Sequence, residues 1–195
     1  MIETEIKVKI QNPEEIKKKI SELNGVYKLS LYHEDIYFNM PDDLRDFRIT
    51  DEALRIRSSK EYNNSFRDNP TKVSHYITYK GKKLDKLTKT RNEIEVKIDD
   101  YSSMKEILLA LGFKEVLTIV KERELYEIPF KNNIIEVLID YIPVLATNFM
   151  ELELIVESTQ VSSARAILFS LLEEFGFKET DSIRKSYLEL ILEKS

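Results

Sequence analysis

The sequence predicts an α+β fold in which eight antiparallel β-strands close into a barrel and helices pack outside it. Two observations carry this prediction. About eight segments alternate apolar and polar residues with a period of two, which is typical of β-strands. These segments follow one another as hairpin-like neighbours instead of alternating with helices, which favours an antiparallel sheet. We expect a single domain that spans residues 1–195.

The strands are predicted from this alternation, taken in order along the chain. In residues 1–10, Ile2, Ile6 and Ile10 share one face, and charged side chains share the other. Later segments of the same kind lie at 27–38 (one or two strands), 53–58, 73–80, 91–99, 118–128, 134–141 and 148–156. Residues 41–51 and 61–71 are rich in polar and turn-forming residues, so we expect loops there, the second of them mobile.

Helices are predicted where capping signals flank a helical apolar pattern. Asn12 and Pro13 are a start signal for a helix that ends near Asn24 and Gly25. Residues 101–111 and 162–175 form two further predicted helices, ended by Gly112 and Gly176. Residues 182–193 predict a short C-terminal helix or a strand–helix piece.

The composition excludes several kinds of site. The chain has no cysteine, so disulfides and thiolate metal sites are excluded. Four glycines and the absence of GxxxxGK[ST] and GxGxxG motifs exclude a glycine-rich phosphate loop. His33 and His75 are too few for a histidine metal site, and we expect both at incidental surface or loop positions. A bound metal would therefore be held by carboxylates, which favours Mg²⁺ or Mn²⁺.

Charge and hydropathy indicate the cellular setting. The formal net charge of −5 argues against a broad nucleic-acid surface. No apolar stretch approaches the roughly 18 residues of a membrane span, and the charged N-terminus argues against a signal peptide. We therefore expect a cytoplasmic protein with neither nucleic-acid nor membrane partners.

Pairs of like charges recur at alternate positions of several predicted strands. Arg55 and Arg57 form one such pair, and Glu151 and Glu153 form another. Each charged face taken alone fits an ordinary solvated strand. In a closed barrel, however, these faces would meet inside one cavity, where so many charges need partners or a charged ligand. The cations would suit phosphate oxygens, and the carboxylates would suit a divalent ion.

The same segments, in the same order, resemble the CYTH family of triphosphate tunnel metalloenzymes, and most closely its class IV adenylyl cyclase-like branch. The N-terminal Glu3-Thr4-Glu5-Ile6-Lys7 resembles the ExExK signature of that family. The other matching segments are HEDIYF at 33–38, EALRIR at 52–57, TYKG at 78–81, RNEIE at 91–95, KER at 121–123, the lone Asp140, ELE at 151–153 and KSY at 185–187.

The resemblance implies roles for fifteen residues of this sequence. It implies that the cations grip a triphosphate: Lys7, Arg55, Arg57, Lys80, Arg91, Lys121, Arg123 and Lys185. It implies that carboxylates hold or orient Mg²⁺ or Mn²⁺: Glu3, Glu5, Asp140, Glu151 and Glu153, with catalytic support from Glu93 and Glu95. It further implies an eight-stranded tunnel, a homodimer, and ATP or another triphosphate as substrate.

Three functions remain open at this point. A class IV-like adenylyl cyclase would convert ATP into cyclic AMP and pyrophosphate. A triphosphatase would hydrolyse inorganic triphosphate, thiamine triphosphate or a nucleoside triphosphate. A non-catalytic polyanion-binding module would keep the cations, but it has no use for the carboxylates and is therefore disfavoured.

Overall fold

The computed structural model describes residues 2–63, 69–84 and 90–194. The strands are β1 Ile2–Ile10, β2 Val26–Asn39, β3 Ala53–Tyr62, β4 Lys72–Lys80, β5 Glu93–Ile98, β6 Lys114–Phe130, β7 Asn133–Ile142 and β8 Thr147–Val156. The helices are α1 Pro13–Glu22, α2 Phe47–Thr50, α3 Tyr101–Ala110, α4 Val161–Glu174 and α5 Tyr187–Leu192, with 3₁₀ turns at Pro143–Leu145, Ser158–Gln160 and Glu179–Asp181.

All eight strands belong to one antiparallel sheet in the order β1-β8-β7-β6-β2-β3-β4-β5. The predicted number and direction of the strands are confirmed, but the predicted closed barrel is wrong. The sheet curls into a half-barrel, and its edges β1 and β5 approach each other through an isolated bridge between Glu3 and Arg91. Closure requires a continuous ladder between the edge strands. The six residues of β5 pair with β4 and form no such ladder in the described part of the chain.

Helices cover the outer face of the half-barrel in two places. The α1 and α4 helices bury Ile20 and Leu168 against the even-numbered side chains of β1 and β8, such as Ile6 and Leu152. On the other half of the sheet, α3 packs Leu108 against β2 and β3. Because the outer face takes the apolar side chains of each strand, the alternating charged side chains are directed to the inner face.

Helix α5 closes one end of the inner face. Its Tyr187 and Ile191 pack with Ile119, Ile142 and Phe149 in a separate apolar cluster. The helix begins after Ser186, whose hydroxyl accepts a hydrogen bond from the backbone N–H of Glu189. The C-terminal segment is therefore helical from Tyr187 onward and contains no strand.

Most of the predicted helix boundaries are confirmed. Asn12 caps α1 by accepting a hydrogen bond from the Glu14 N–H, and Gly112 and Gly176 follow α3 and α4 with φ of +87° and +82°. The predicted loop at 41–51 contains the short helix α2, which is capped by Asp46. Of the predicted loop at 61–71, residues 61 and 62 extend β3, and residues 64–68 lie outside the described residues. Within the described residues, no helix is long and apolar enough to cross a membrane.

Two neighbouring leucines of α3 test this packing. Leu108 is 6% exposed and belongs to the core between α3 and the sheet, whereas Leu109 is 45% exposed. Leu108→Ala should lower the free energy of unfolding by about 2–5 kcal/mol, because it leaves a cavity in that core. Leu109→Ala should cost less than about 1 kcal/mol. Urea unfolding of both variants measures the difference, and equal losses would contradict the packing of α3.

Candidate active site

A cavity of about 600 Å³ occupies the inner face of the half-barrel, beside α2 and α5. Its lining includes twelve of the fifteen residues that the sequence predicts for the site: Glu3, Glu5, Arg55, Arg57, Lys80, Arg91, Glu93, Glu95, Lys121, Arg123, Glu151 and Glu153. The strand register explains why side chains of different strands meet here. It places Glu5 of β1 opposite Glu153 of β8, and Thr78 of β4 opposite Glu95 of β5. Lys7, Asp140 and Lys185 are not part of the lining.

A buried aspartate holds the two arginines of β3. Arg57 donates to Asp35 through Nε at 2.6 Å and through Nη2 at 2.7 Å, and Arg55 Nη1 lies 3.5 Å from the same carboxylate. Burial would raise the pKa of Asp35, but the nearby charges of Arg57 and Arg55 outweigh it and hold that pKa well below its usual range. Asp35 is a site residue that the sequence interpretation did not assign, although it lies within the HEDIYF segment.

A second buried aspartate, Asp140, holds Arg123. The guanidinium of Arg123 donates to both carboxylate oxygens at 2.6 Å, and Lys121 Nζ lies 3.7 Å from Asp140. The Tyr187 hydroxyl donates to Asp140 at 2.8 Å. Asp140 is fully buried, and Arg123, Lys121 and Tyr187 lie against its carboxylate oxygens. It lies outside the cavity lining and outside the group of Glu3, Glu5 and Glu153 described below, and its predicted metal role stays a prediction.

Lys7 lies behind the lining and is fully buried. Its Nζ is 3.8 Å from a carboxylate oxygen of Glu151 and 4.0 Å from the centre of the Tyr187 ring. Phe149 places a second ring at 5.8 Å. A carboxylate and an aromatic face are both favourable neighbours for an ammonium group, so these contacts explain how a lysine is accommodated behind the lining.

The edge strands contribute further ion pairs at the open side. Lys80 Nζ lies 2.7 Å from Glu93, and Arg55 Nη2 lies 3.4 Å from Glu95. Burial would raise the pKa of Glu93, but Lys80 and Arg55 outweigh it and lower that pKa. Glu93 and Glu95 therefore position cations of the site.

Lys185 is a predicted site residue that lies outside the lining of the cavity. It is about half exposed, and its Nζ pairs with Glu193 at 2.7 Å. The structure does not bring it together with the other cations.

Three carboxylates of the lining come together, and one of them, Glu153, lies 3.8 Å from Arg123. Glu3, Glu5 and Glu153 each offer an oxygen atom, and these atoms lie within 4.8 Å of one another. Burial and then the charge of Glu3 raise the pKa of Glu153 well above its usual value. A bound cation would relieve that repulsion, and an all-oxygen donor set suits a hard divalent ion. Glu151 lies apart from this group, because it pairs with Arg123 and Lys7.

The two histidines do not lie where the sequence interpretation expected them. His33 is 4% exposed within β2, and His75 lies within β4 with its ring 5.4 Å from that of Tyr101. Both predictions of incidental surface or loop positions are therefore wrong. The alternation of β2 directs the odd-numbered His33 to the same face as Asp35, which is a signal that the sequence contained.

Known proteins resemble this chain over nearly its whole length. A family model described as "CYTH domain" matches residues 1–187. A relative from Methanocaldococcus jannaschii, provisionally named an adenylate cyclase, is 43% identical over 191 residues, which are 97% of this chain and 98% of the relative.

Solved structures share the fold. A protein from Pyrococcus horikoshii OT3 superposes with a TM-score of 0.83 and 38% identity, covering 99% of each chain. A Hippeastrum protein, whose structure was described as that of a candidate adenylyl cyclase with a dominant triphosphatase activity, superposes with a TM-score of 0.61. It is 16% identical, and the match covers 99% of this chain and 96% of that one.

The Asp35→Asn variant tests the ion pair between Asp35 and Arg57. Removing one partner of a buried ion pair should lower the free energy of unfolding at pH 7 by about 3 kcal/mol. A depressed folded-state pKa gives stability that is complete above the unfolded value of about 3.9 and is lost as the pH falls. The difference between wild type and variant should therefore shrink below about pH 4. Denaturant unfolding from pH 7 to pH 3 measures it, with the exposed Asp99→Asn as control; a difference independent of pH would contradict the ion pair.

The lowered pKa of Lys121 predicts that anion binding depends on pH. Burial, followed by the charge of Arg123, lowers the pKa of Lys121 to about 8, so its ammonium is present below that pH and lost above it. Tripolyphosphate affinity of wild type relative to Lys121→Arg should fall as the pH rises from 7 to 9, by up to about tenfold per unit above pH 8. The ratio cancels the titration of the ligand itself. Calorimetric titration of both proteins measures it, and a constant ratio would contradict this role of Lys121.

Proposed function

Since the chain belongs to the CYTH domain family, as its strand motifs predict, we propose that it is a divalent-metal-dependent adenylyl cyclase that converts ATP into cyclic AMP and pyrophosphate. The observation that supports this most directly is that one cavity holds both cations and a carboxylate cluster. The arginines Arg55, Arg57 and Arg123 line it together with Glu3, Glu5 and Glu153, and Arg123 lies 3.8 Å from Glu153.

The cationic side chains of the cavity fit a chain of phosphates. Arginine presents a planar fork of donors that matches phosphate oxygens, and Asp35 and Asp140 fix two such forks in orientation. Lys121 of β6 and Lys80 of β4 add ammonium groups to the lining. Because these groups are held before substrate arrives, they stabilise the charge that develops on the leaving phosphate oxygens without reorganising.

The carboxylate cluster gives the cavity a use beyond anion binding. Glu3, Glu5 and Glu153 would hold the divalent ion, which when bound supplies positive charge to the phosphate oxygens facing it. A module that only binds polyanions gains nothing from acidic groups beside its cations, since they repel the ligand. This cluster therefore supports an enzyme over a binding module.

The nature of the attacking oxygen separates the proposed cyclase from its alternative. In the cyclase, the ribose 3′-oxygen attacks the α-phosphorus, its proton leaves, and the bond to the β-phosphate oxygen breaks to release pyrophosphate. In a triphosphatase, water attacks instead. The cationic side chains of the cavity suit a triphosphate in either case. The Hippeastrum protein described with triphosphatase activity shares this fold. Hydrolysis of inorganic triphosphate, thiamine triphosphate or nucleoside triphosphates is accordingly the second candidate function.

Product analysis tests the proposal. The purified protein is incubated with ATP, tripolyphosphate or thiamine triphosphate, each with Mg²⁺ or Mn²⁺. We expect cyclic AMP and pyrophosphate in equal amounts from ATP. Release of orthophosphate without cyclic AMP would favour the triphosphatase, and binding of all three compounds without turnover would contradict both enzymatic functions.

Glu5→Gln, assayed in the same way, tests the carboxylate cluster. The loss of one charged ligand should raise the metal concentration at half-maximal activity roughly tenfold or more. The exposed Glu106→Gln on α3 is the matched control and should leave that concentration unchanged. An unchanged metal requirement in Glu5→Gln would contradict a metal site at this cluster.

A further inference from the structure

Strand β5 forms one edge of the sheet and is exposed on both of its faces. It pairs with β4, and no ladder joins its other edge to any described strand. The isolated bridge between Arg91 and Glu3 lies before the strand begins. Residues 94–97 are all exposed. An open edge of this kind presents unpaired N–H and C=O groups, which can hydrogen-bond to a strand of another chain.

Exposed apolar side chains accompany this edge on the outer face. Ile94 and Val96 of β5 are both more than half exposed. Helix α3 packs over β2 and β3, and its Lys105 forms an ion pair with a residue of β6. The opposite flank of the helix is therefore turned toward β4 and β5, and there Ile107 and the following Leu111 are exposed. An apolar patch beside an open strand edge indicates an interaction surface.

The sequence of β5 is complementary to itself when two copies run antiparallel. A two-fold axis at Val96 places this valine opposite Val96 of the partner subunit, and Ile94 opposite Ile98 of the partner subunit. The same register places Glu95 opposite Lys97 of the partner subunit, and the symmetry creates this pair twice. Apolar side chains thus meet on the outer face, and opposite charges meet on the inner face.

The neighbouring two-fold register, centred on Glu95, is less favourable. It places Glu95 opposite Glu95 of the partner subunit, and like charges directly opposite each other destabilise a strand pair. It also gives Lys97 the partner's Glu93, but Glu93 already pairs with Lys80 at 2.7 Å within its own subunit. A lysine on an edge strand ordinarily discourages pairing with another chain. The register centred on Val96 removes that obstacle, because it supplies a carboxylate opposite the lysine.

We propose that β5 is the surface through which two copies of this chain associate, and that the two strands form an antiparallel pair centred on Val96. The pairing joins the sheets of both subunits edge to edge. It also reaches the candidate active site, because Glu95 lines the cavity and accepts a hydrogen bond of 2.8 Å from Thr78. Lys97 of the partner subunit is placed beside that glutamate. The inference goes beyond the proposed function and does not depend on the reaction.

A lysine at the two-fold axis tests the surface. Val96→Lys places two ammonium groups opposite each other and should raise the dissociation constant of the dimer roughly a hundredfold or more. Val144→Lys, in the 3₁₀ turn after β7, is the matched control, since Val144 is 65% exposed and lies outside β5. It should leave the dimer unchanged. Sedimentation velocity over a series of protein concentrations measures the dissociation constant of each protein, and circular dichroism shows whether each variant is folded.

Two charge variants test the register. Lys97→Glu places a glutamate opposite Glu95, and Glu95→Lys places a lysine opposite Lys97. Each variant alone should therefore associate roughly tenfold more weakly than wild type, or less. When the two variants are mixed, every cross-strand pair of the mixed dimer again joins a glutamate to a lysine. The mixture should therefore regain dimers in the same sedimentation experiment.

The outcomes decide the inference without any measurement of activity. A wild-type protein that stays monomeric at every concentration overturns it. A folded Val96→Lys variant that dimerises as wild type does also overturns it, since association then uses another surface. If Val96→Lys does not fold, the two charge variants decide. A mixture that associates no better than its separate components overturns the inference, and recovery of the mixed dimer supports it.

Discussion

The fully buried ion pair between Arg123 and Asp140 is the interaction on which the inner face of the half-barrel depends. It joins β6 to β7 by two hydrogen bonds of 2.6 Å, and through Tyr187 it also joins both strands to α5. Burying two charges costs several kcal/mol per ion unless each is matched. Burial would lower the pKa of Arg123, but Asp140 and then Glu151 outweigh it and raise that pKa. Arg123 therefore stays positively charged inside the protein.

A second buried ion pair of the same kind forms elsewhere on the inner face, where Asp35 binds Arg57 and approaches Arg55. In each case a buried aspartate fixes a guanidinium of the lining; Asp140 lies behind the lining, and Asp35 is part of it. Side-chain freedom is thus lost during folding and not during binding, which favours both affinity and catalysis.

The sequence predicted most of the side chains that line the cavity, but not the pairs that they form. Strand alternation determines the face of each residue, so the odd-numbered Arg55, Arg57 and Glu153 could be placed on the inner face without knowledge of the strand order. Alternation does not identify partners, so the ion pair between Asp140 and Arg123 could not be predicted from it.

Other features depended on information that alternation does not contain. Closure of the barrel depends on pairing between β1 and β5, which are distant in sequence, and the described residues show the isolated Glu3–Arg91 bridge there instead of a ladder. Lys185 precedes α5 by two positions, and its direction depends on how that helix docks. The homodimer and the cytoplasmic location concern assembly and cell biology, and they stay predictions.

The order of chemical environments along the inner face gives the cavity a direction. At the α5 end, the apolar side chains around Tyr187 are packed together, and the cations and the carboxylate cluster follow them along the lining. Beyond Arg57 and Arg123, the inner face carries Leu31, Leu125 and Leu138. The cations that could bind a chain of phosphates therefore lie between two regions of the inner face that carry apolar side chains.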